Sequence, residues 1–342
     1  MSEPRADQLD GAIAPSENTA LFGHEEAEAF LAAGYRSGKG HHAILIEGPQ
    51  GIGKATLAFR FANHVLSHPE PETAPATMQA PDPTSLVSRQ IAGGASHNLL
   101  HLTRPVDEKT QKIKSAITVD EVRRAGRFFG QTSGTGNWRI VIVDAADDLN
   151  RNAANAILKI LEEPPKRSLF LVLTHAPGRL LPTIRSRCLP LALKPLNDAA
   201  MEQALGHLGI RPAEDTLPGV LKAARGSVSE AIKLINYGGA DIVEAFESIL
   251  AKEPAPARRE AHKLADVLSG RDAETIYDFF TELVSRHVTA QARASALSGD
   301  LERAERLARL SSDLSERVTL AEAYNLDRKQ TVLQILDDIR AA

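Results

Sequence analysis

The sequence predicts an α/β core, built on a parallel sheet with flanking helices, followed by a small helical lid and an all-α C-terminal bundle. Apolar runs that suit buried strands occur at 43–46, 140–143 and 169–173, and segments with helical spacing of apolar residues separate them. Strands that alternate with helices are typical of parallel sheets covered on both faces. After about Pro195 the apolar residues recur only at helical spacing, so this half is predicted to be all helical.

The length of 342 residues suggests two or three domains, since a domain usually holds about 100 to 200 residues. Within the first domain, 67–90 is rich in Pro, Thr, Ser and Ala, which indicates an exposed insertion that we bound at about 67–115. The first 20 residues lack periodic apolar positions and are expected to form an extended arm. The predicted domains are an α/β domain over 1–194, a helical lid over 195–240 and a helical C-terminal domain over 241–342.

Composition excludes several classes of protein. The 40 basic and 44 acidic residues give a formal charge of -4, which argues against a surface that binds nucleic acid throughout. Cys188 is the single cysteine, so disulfides and cysteine-based zinc sites are excluded and a reducing cytoplasm is expected. No run approaches the roughly 20 apolar residues that span a bilayer, so no membrane role is expected.

A glycine-rich loop follows the first predicted strand. Residues 48–54 read Gly-Pro-Gln-Gly-Ile-Gly-Lys, a pattern whose backbone N–H groups cradle phosphates while Lys54 reaches the outer ones. The next position normally carries the hydroxyl that binds Mg²⁺, but it is Ala55 here. Thr56 comes one residue late and is turned about 100° around the helix, so we expect it to point away from a metal. The alternative is a loop kept for packing alone.

Asp144 follows the strand 140–143 and could hold Mg²⁺ through water. A hydrolytic enzyme places a glutamate next to it to polarise the attacking water, but the neighbour is Ala145. Asp147 or Asp148 could serve as the base instead, but both are expected on the following turn, facing solvent. Asp144 could alternatively end the strand and cap a helix. We assign these residues to a vestigial nucleotide site: Gly48, Gly51, Gly53, Lys54, Thr56 and Asp144.

Two further motifs make a family resemblance specific. Residues 161–165 read Leu-Glu-Glu-Pro-Pro ahead of the strand 169–173, and 181–188 read Leu-Pro-Thr-Ile-Arg-Ser-Arg-Cys. The whole chain resembles the clamp-loader branch of the AAA+ ATPases, and within that branch the clamp-loader subunits of bacterial DNA polymerase III. The resemblance is strongest from Asn18 to Leu193. The resemblance implies that Ser186 and Arg187 form an arginine-finger motif, with Arg187 acting on ATP held by a neighbouring subunit. A surface arginine paired with an acidic neighbour is the alternative.

The resemblance also exposes an absence. Hydrolysing members carry an arginine in the first helical bundle that contacts the nucleotide, and Ser229 stands at that position in this chain. Ala55, Ala145 and Ser229 thus remove three parts of one reaction, and phosphoryl transfer depends on positioning and electrostatics. We therefore expect no required cofactor and no hydrolysis, although the loop and Lys54 allow ATP or ADP binding. Asn18 is expected near the adenine side by resemblance alone.

Many relatives carry a four-cysteine zinc module after the loop helix, whereas 66–116 contain no cysteine. Four histidines occur in this region, but no zinc site is expected, because histidines without thiolate or carboxylate support are usually solvated. They are His64, His68, His97 and His101.

The leading prediction is a non-hydrolysing clamp-loader subunit whose C-terminal domain joins a collar. The implied partners are motor subunits of the gamma/tau type and a delta subunit in a hetero-oligomeric ring, with the sliding clamp and primed DNA reached through the complex. One alternative is an active motor ATPase of the same superfamily. Another is a DNA-binding module that uses Arg123, Arg124 and Arg127, although a solvated helix face explains those arginines more simply.

Overall fold

The computed structural model describes residues 9, 12–107, 113–130, 136–213, 216–270 and 273–342. Half of the predicted N-terminal arm (1–8, 10 and 11) and residues 108–112 of the predicted insertion lie outside the described residues. The chain divides into two compact units, one of Met1–Ala213 with Leu221–Ser229 and the other of Glu214–Val220 with Glu230–Ala342. The division passes through two helices, α8 (Leu217–Ala224) and α9 (Val228–Asn236). The three predicted domain boundaries stay a prediction.

The first unit contains a five-stranded parallel sheet with the order β2-β3-β4-β1-β5. The predicted parallel α/β core is confirmed. Its strands are β1 (Ala43–Glu47), β2 (Leu99–Leu102), β3 (Arg139–Val143), β4 (Ser168–Thr174) and β5 (Leu189–Ala192). Its helices are α1 (Glu25–Arg36), α2 (Lys54–Ser67), α3 (Leu86–Ala92), α4 (Val119–Gly130), α5 (Arg151–Glu162), α6 (Pro182–Arg185) and α7 (Asp198–His207).

The central strand β4 positions the rest of this unit. All seven of its residues are buried, and Phe170 pairs with Ala43 of β1 on one side and Val141 of β3 on the other. Apolar side chains cover both faces of such a strand, which is why it reads as a continuous apolar run. The carboxyl ends of β1, β3 and β4 therefore meet at one edge of the sheet, where the candidate site lies.

The start of the predicted insertion is tied to the α/β unit by hydrogen bonds to its backbone. The Tyr35 hydroxyl donates to the carbonyl of His68 at 2.5 Å, and the Trp138 indole donates to the carbonyl of Pro69 at 3.0 Å. Arg167 forms an ion pair with Glu70 at 2.9 Å. These contacts fix the chain as it leaves α2.

The second unit is helical in its described part. Its helices after α9 are α10 (Gly239–Ala251), α11 (Pro254–Leu268), α12 (Glu274–Leu297), α13 (Leu301–Ala323) and α14 (Arg328–Ala341). The long helices α12 and α13 pack against each other. Inside the unit, buried Glu230 pairs with Lys233 at 3.1 Å and with Arg286 at 2.8 Å, so its charge is compensated. No helix in the described ranges is both long and apolar enough to cross a membrane.

Candidate functional site

The glycine-rich loop connects β1 to α2. The N–H of Gly48 donates to the carbonyl of Thr174 at the end of β4, at 3.3 Å, which holds the loop against the sheet. Gly51 and Gly53 have φ angles of +75° and +106°, conformations that favour glycine. Gly53 directly precedes α2, so the backbone N–H groups at the start of that helix face the loop. The loop therefore turns through glycines and leads into a helix N-terminus, while phosphate binding at Gly48, Gly51 and Gly53 stays a prediction.

Lys54 turns back onto the loop that precedes it. Its ammonium donates to the carbonyl of Gly48 at 2.7 Å and to the carbonyl of Pro49 at 2.5 Å. The residue is only 4% exposed. Burial lowers its pKa to about 8, although the nearby charges of Asp144 and Asp147 oppose that shift. The lysine that should meet phosphate is thus bonded to the protein's own backbone.

A segment from the end of the first unit, residues 226–229, packs directly on the loop. The Ser227 hydroxyl donates to the carbonyl of Gln50 at 2.9 Å, and the N–H of Val228 donates to the carbonyl of Gly51 at 2.9 Å. A Cβ at Gly51 would lie 1.8 Å from the hydroxyl oxygen of Ser229. Ser229 therefore lies at the loop. By the family resemblance, hydrolysing members carry an arginine at this position.

Alanines stand at two positions where a hydrolysing site of this class carries polar groups. Ala55 is the second residue of α2, and Ala145, which follows Asp144, is buried. Thr56 is also buried within α2. The Asp144 carboxylate lies 3.6 Å from His101 Nε2. Ala55 therefore supplies no hydroxyl for a metal, and Ala145 supplies no carboxylate to polarise water.

Asp147 corrects one expectation. It was expected to face solvent, but its carboxylate accepts hydrogen bonds from the Thr174 hydroxyl at 3.0 Å, the His175 N–H at 2.8 Å and the Ala176 N–H at 2.9 Å. These donors come from the last residue of β4 and the two residues after it, which the local sequence around Asp147 does not reveal. Asp147 therefore locks the turn after β3 to the end of β4.

Asp148 is also not simply solvated. It pairs with Arg104 Nε at 3.3 Å, and burial raises the pKa of its carboxyl.

The short turn at 146–148 has no side-chain cap, so Asp144 does not cap it. The helix-capping alternative for Asp144 is wrong for this turn.

His175 is a site residue that the sequence reasoning missed. Its pKa is lowered, first by burial and then by the charge of Lys54. Its Nδ1 is buried and has no hydrogen-bond partner in the described part of the chain. The available signal is a titratable residue directly after a predicted strand, because Asp144 follows β3 and His175 follows β4 in the same way.

Asn18 lies near α7. Its side-chain oxygen accepts from the N–H of Ala20 at 3.1 Å and lies 3.1 Å from His207 Nε2. Close by, the His24 ring lies 2.7 Å from the carbonyl of Ile52 in the loop. Residues 18–24 thus border the loop, while the contact of Asn18 with adenine stays a prediction.

Arg187 lies apart from the loop and on the surface. It follows α6, and its Nη2 lies 2.6 Å from Glu162 Oε1 at the end of α5. Its Nη1 donates to the carbonyl of Thr183 at 2.9 Å. Ser186 is exposed beside it. The pairing with an acidic neighbour, which the sequence left open, is present.

Cys188 is packed in the core. The residue is buried, and burial raises the pKa of its thiol to about 11. A thiol with this pKa carries little thiolate near neutral pH, so Cys188 contributes packing rather than chemistry.

The arginines of α4 are mostly compensated within their own helix. Arg123 pairs with Asp120 at 2.7 Å and Arg124 pairs with Glu121 at 2.5 Å. Arg127 is exposed. This arrangement matches the simpler explanation of a solvated helix face.

The histidines predicted to hold no zinc are dispersed. The rings of His64 and His68 lie 5.2 Å apart, and burial lowers the pKa of His64 to about 4. His101 packs edge-on against Phe59, with ring centroids 5.0 Å apart. Among the described residues, no group of three or more His, Cys, Asp or Glu side chains is placed to hold a metal ion. That the chain binds no zinc remains a prediction.

Comparison with known proteins gives one consistent family. Residues 23–197, slightly more than half of the chain, match the family described as "DNA polymerase III, delta subunit". DNA polymerase III subunit delta' of Pseudomonas aeruginosa is 33% identical over 247 residues, which cover 70% of this chain and 70% of that protein. The delta' subunit of Escherichia coli is 30% identical over 208 residues, 60% of this chain and 57% of that protein. Subunit tau/gamma of Haemophilus influenzae is 30% identical over 221 residues, covering 63% of this chain but only 30% of that longer protein.

Proposed function

Because this chain belongs to the DNA polymerase III delta-subunit family of AAA+ clamp-loader proteins, we propose that it is a delta-prime-type subunit without ATP hydrolysis of its own. In this proposal it supplies Arg187 as an arginine finger to ATP held by a neighbouring motor subunit. Its ring partners are motor subunits of the gamma/tau type and a delta subunit. The complex loads the sliding clamp onto primed DNA in the cytoplasm.

The contrast between Lys54 and Arg187 carries this proposal. Lys54 is buried and bonded to carbonyls of its own loop, whereas Arg187 presents a guanidinium at the surface. The contacts of Lys54 suit a loop that does not catalyse hydrolysis. The surface position of Arg187 suits a cation that contacts another subunit. A guanidinium that neutralises charge on the transferring phosphoryl group can accelerate hydrolysis by about 10³ to 10⁵.

The replacements around the loop support the absence of hydrolysis. Ala55 cannot bind Mg²⁺ through a hydroxyl, Ala145 cannot polarise water, and Ser229 cannot place a cation on the phosphates. Ser227 and Val228 instead donate hydrogen bonds to loop carbonyls. Residues 227 and 228 are therefore attached directly to the backbone of the loop.

Similarity to subunits of both types makes the assignment to the delta-prime type a proposal. Delta' proteins and a tau/gamma protein match this chain at about the same identity. The missing catalytic groups favour the delta-prime type, because a motor subunit needs them. Binding of ATP or ADP without turnover remains compatible with the loop geometry.

The test is reconstitution with the motor and delta subunits of the same organism. Native mass measurement should show one heteromeric complex that contains this chain. The purified chain should show no ATP turnover, and Arg187→Ala should lower the ATPase rate of the complex. Turnover by the lone chain that Lys54→Ala abolishes would instead identify a motor subunit.

A further inference from the structure

We infer that Glu162 is a positioning residue for Arg187, holding its guanidinium ready for the neighbouring subunit's nucleotide. This inference rests on the proposed role of Arg187 in trans and goes beyond it by naming the group that orients the arginine. The chemistry to be recognised is the terminal phosphate of a nucleoside triphosphate.

Two contacts fix the guanidinium. Arg187 Nη2 lies 2.6 Å from Glu162 Oε1, and Nη1 donates to the carbonyl of Thr183 at 2.9 Å. An arginine has five N–H donors in a rigid plane, so these two contacts leave three donors for another group. Arg187 is 33% exposed and Glu162 is 48% exposed, so the pair lies where a second chain can approach.

Buried residues hold the backbones on both sides of the pair. Leu161, which precedes Glu162, is 1% exposed, and Ile184 and Cys188, which bracket Arg187, are also buried. All three belong to one apolar cluster. Since close-packed side chains tolerate little movement, the separation between Glu162 and Arg187 is set by the core rather than by the surface.

The place of Glu162 in its helix is electrostatically unfavourable. It is the last residue of α5, where the partial charge of the helix end is negative and a basic side chain is preferred. Pro164 and Pro165 prevent the helix from continuing. The Glu162 carboxylate therefore does not stabilise the end of α5, but it does form an ion pair with the Arg187 guanidinium.

The proposed action is preorganisation. An exposed arginine samples many rotamers, and ordering it as the transition state forms would cost free energy. A guanidinium already held by Glu162 and the Thr183 carbonyl avoids most of that cost. Because the finger acts on charge that develops during transfer, losing its orientation should lower kcat more than it changes the KM for ATP.

The experiment measures steady-state ATP hydrolysis by the reconstituted complex. It compares wild type with Arg187→Ala, Glu162→Gln and the double variant, and Glu163→Gln is the matched control at the adjacent carboxylate. We expect Glu162→Gln to lower kcat about threefold to tenfold while KM changes less than about twofold. The double variant should be no slower than Arg187→Ala alone, because both changes remove the same oriented cation. Glu163→Gln should behave as wild type.

The outcomes separate the inference from the proposed function. If Arg187→Ala leaves the rate unchanged, the trans role and this inference both fail. If Arg187→Ala lowers the rate but Glu162→Gln leaves kcat unchanged or raises it, only the inference fails. Should Glu162→Gln not assemble, Glu162→Asp, which keeps the charge on a shorter arm, must show the same selective fall in kcat, and an unchanged kcat would overturn the inference.

Discussion

The ammonium of Lys54 lies 2.7 Å from the carbonyl oxygen of Gly48, six residues earlier in the same loop. Together with the contact to Pro49, this bond satisfies a buried cation with the backbone that would otherwise surround a phosphate. A nucleotide that entered the loop would have to replace these bonds with phosphate contacts. The Lys54 ammonium therefore competes with any phosphate for the same loop, because it is already hydrogen-bonded to the loop backbone.

The buried ammonium predicts a dependence of stability on pH. The Lys54 pKa falls from an ordinary value of 10.5 to about 8 in the folded chain. Between these values the unfolded chain binds more protons at this site, so its contribution to the free energy of unfolding rises as the pH rises. Below about pH 8 both states are protonated and the folded state carries the full cost of the buried charge.

Urea unfolding of wild type and Lys54→Met tests this prediction. The free energy of unfolding of wild type, relative to Lys54→Met, should be higher at about pH 10 than at about pH 7. The methionine variant is the control, because it keeps most of the side-chain volume without the titrating group. A relative stability that does not change over this range would contradict the prediction.

The close approach of Ser229 predicts that Gly51 cannot carry a side chain. In Gly51→Ala the new Cβ would lie 1.8 Å from the Ser229 hydroxyl oxygen, at a φ of +75°. Gly94 is the matched control, with a φ of +64° and nothing within 4 Å of a Cβ. Gly94→Ala should lower the free energy of unfolding by about 1–2 kcal/mol, because alanine disfavours a positive φ. Gly51→Ala should lower the free energy of unfolding, measured in urea, by about 1–3 kcal/mol more than Gly94→Ala does. Equal losses in the two variants would show that Ser229 does not restrict the space at Gly51.

Restoring the missing hydroxyl should restore metal dependence without turnover. In Ala55→Thr, the affinity for ADP should rise when Mg²⁺ is added, because the hydroxyl can now ligate the metal. Hydrolysis of ATP should remain absent, since Ala145 and Ser229 are unchanged. Isothermal titration with and without Mg²⁺ measures the first effect, and Thr56→Val is the control that should leave the metal dependence as in wild type. Turnover in Ala55→Thr would show that the other two replacements do not disable the site.

The thiol of Cys188 should be inert in the folded chain. It is buried, its pKa is raised to about 11, and it is the single cysteine of the sequence. A colorimetric disulfide reagent at mildly alkaline pH should detect almost no thiol in the native protein and one per chain after denaturation. Rapid reaction of the native protein would mean that the segment after Arg187 opens far more readily than its packing indicates.

The strands differ in how well the sequence predicts them. The strands β1, β3 and β4 were predicted within one or two residues, because burial on both faces makes each a continuous apolar run. The strands β2 and β5 were missed, since each has four residues, is only partly buried and lies at an edge of the sheet. Pro190 further hides β5, although a proline is tolerated in an edge strand.

The candidate site shows the same division between local and distant information. The loop from Gly48 to Lys54 was located from sequence, because its glycines and lysine are adjacent along the chain. The contact of Ser229 with Gly51 joins residues far apart in sequence, so only the fold brings them together. The prediction that Asp147 faces solvent is wrong for the same reason. The groups that donate hydrogen bonds to its carboxylate belong to β4 and to the residues just after β4.

In the proposed function, Arg187 of this chain acts on ATP held by another subunit, and the chain hydrolyses no ATP in its own loop. The most direct measurement is the ATPase rate of the reconstituted complex with either Arg187→Ala or Lys54→Met in this chain. We expect a large fall in rate for Arg187→Ala and a rate close to wild type for Lys54→Met. The reverse pattern, with Lys54→Met slowing the complex and Arg187→Ala leaving it unchanged, would contradict the proposed function.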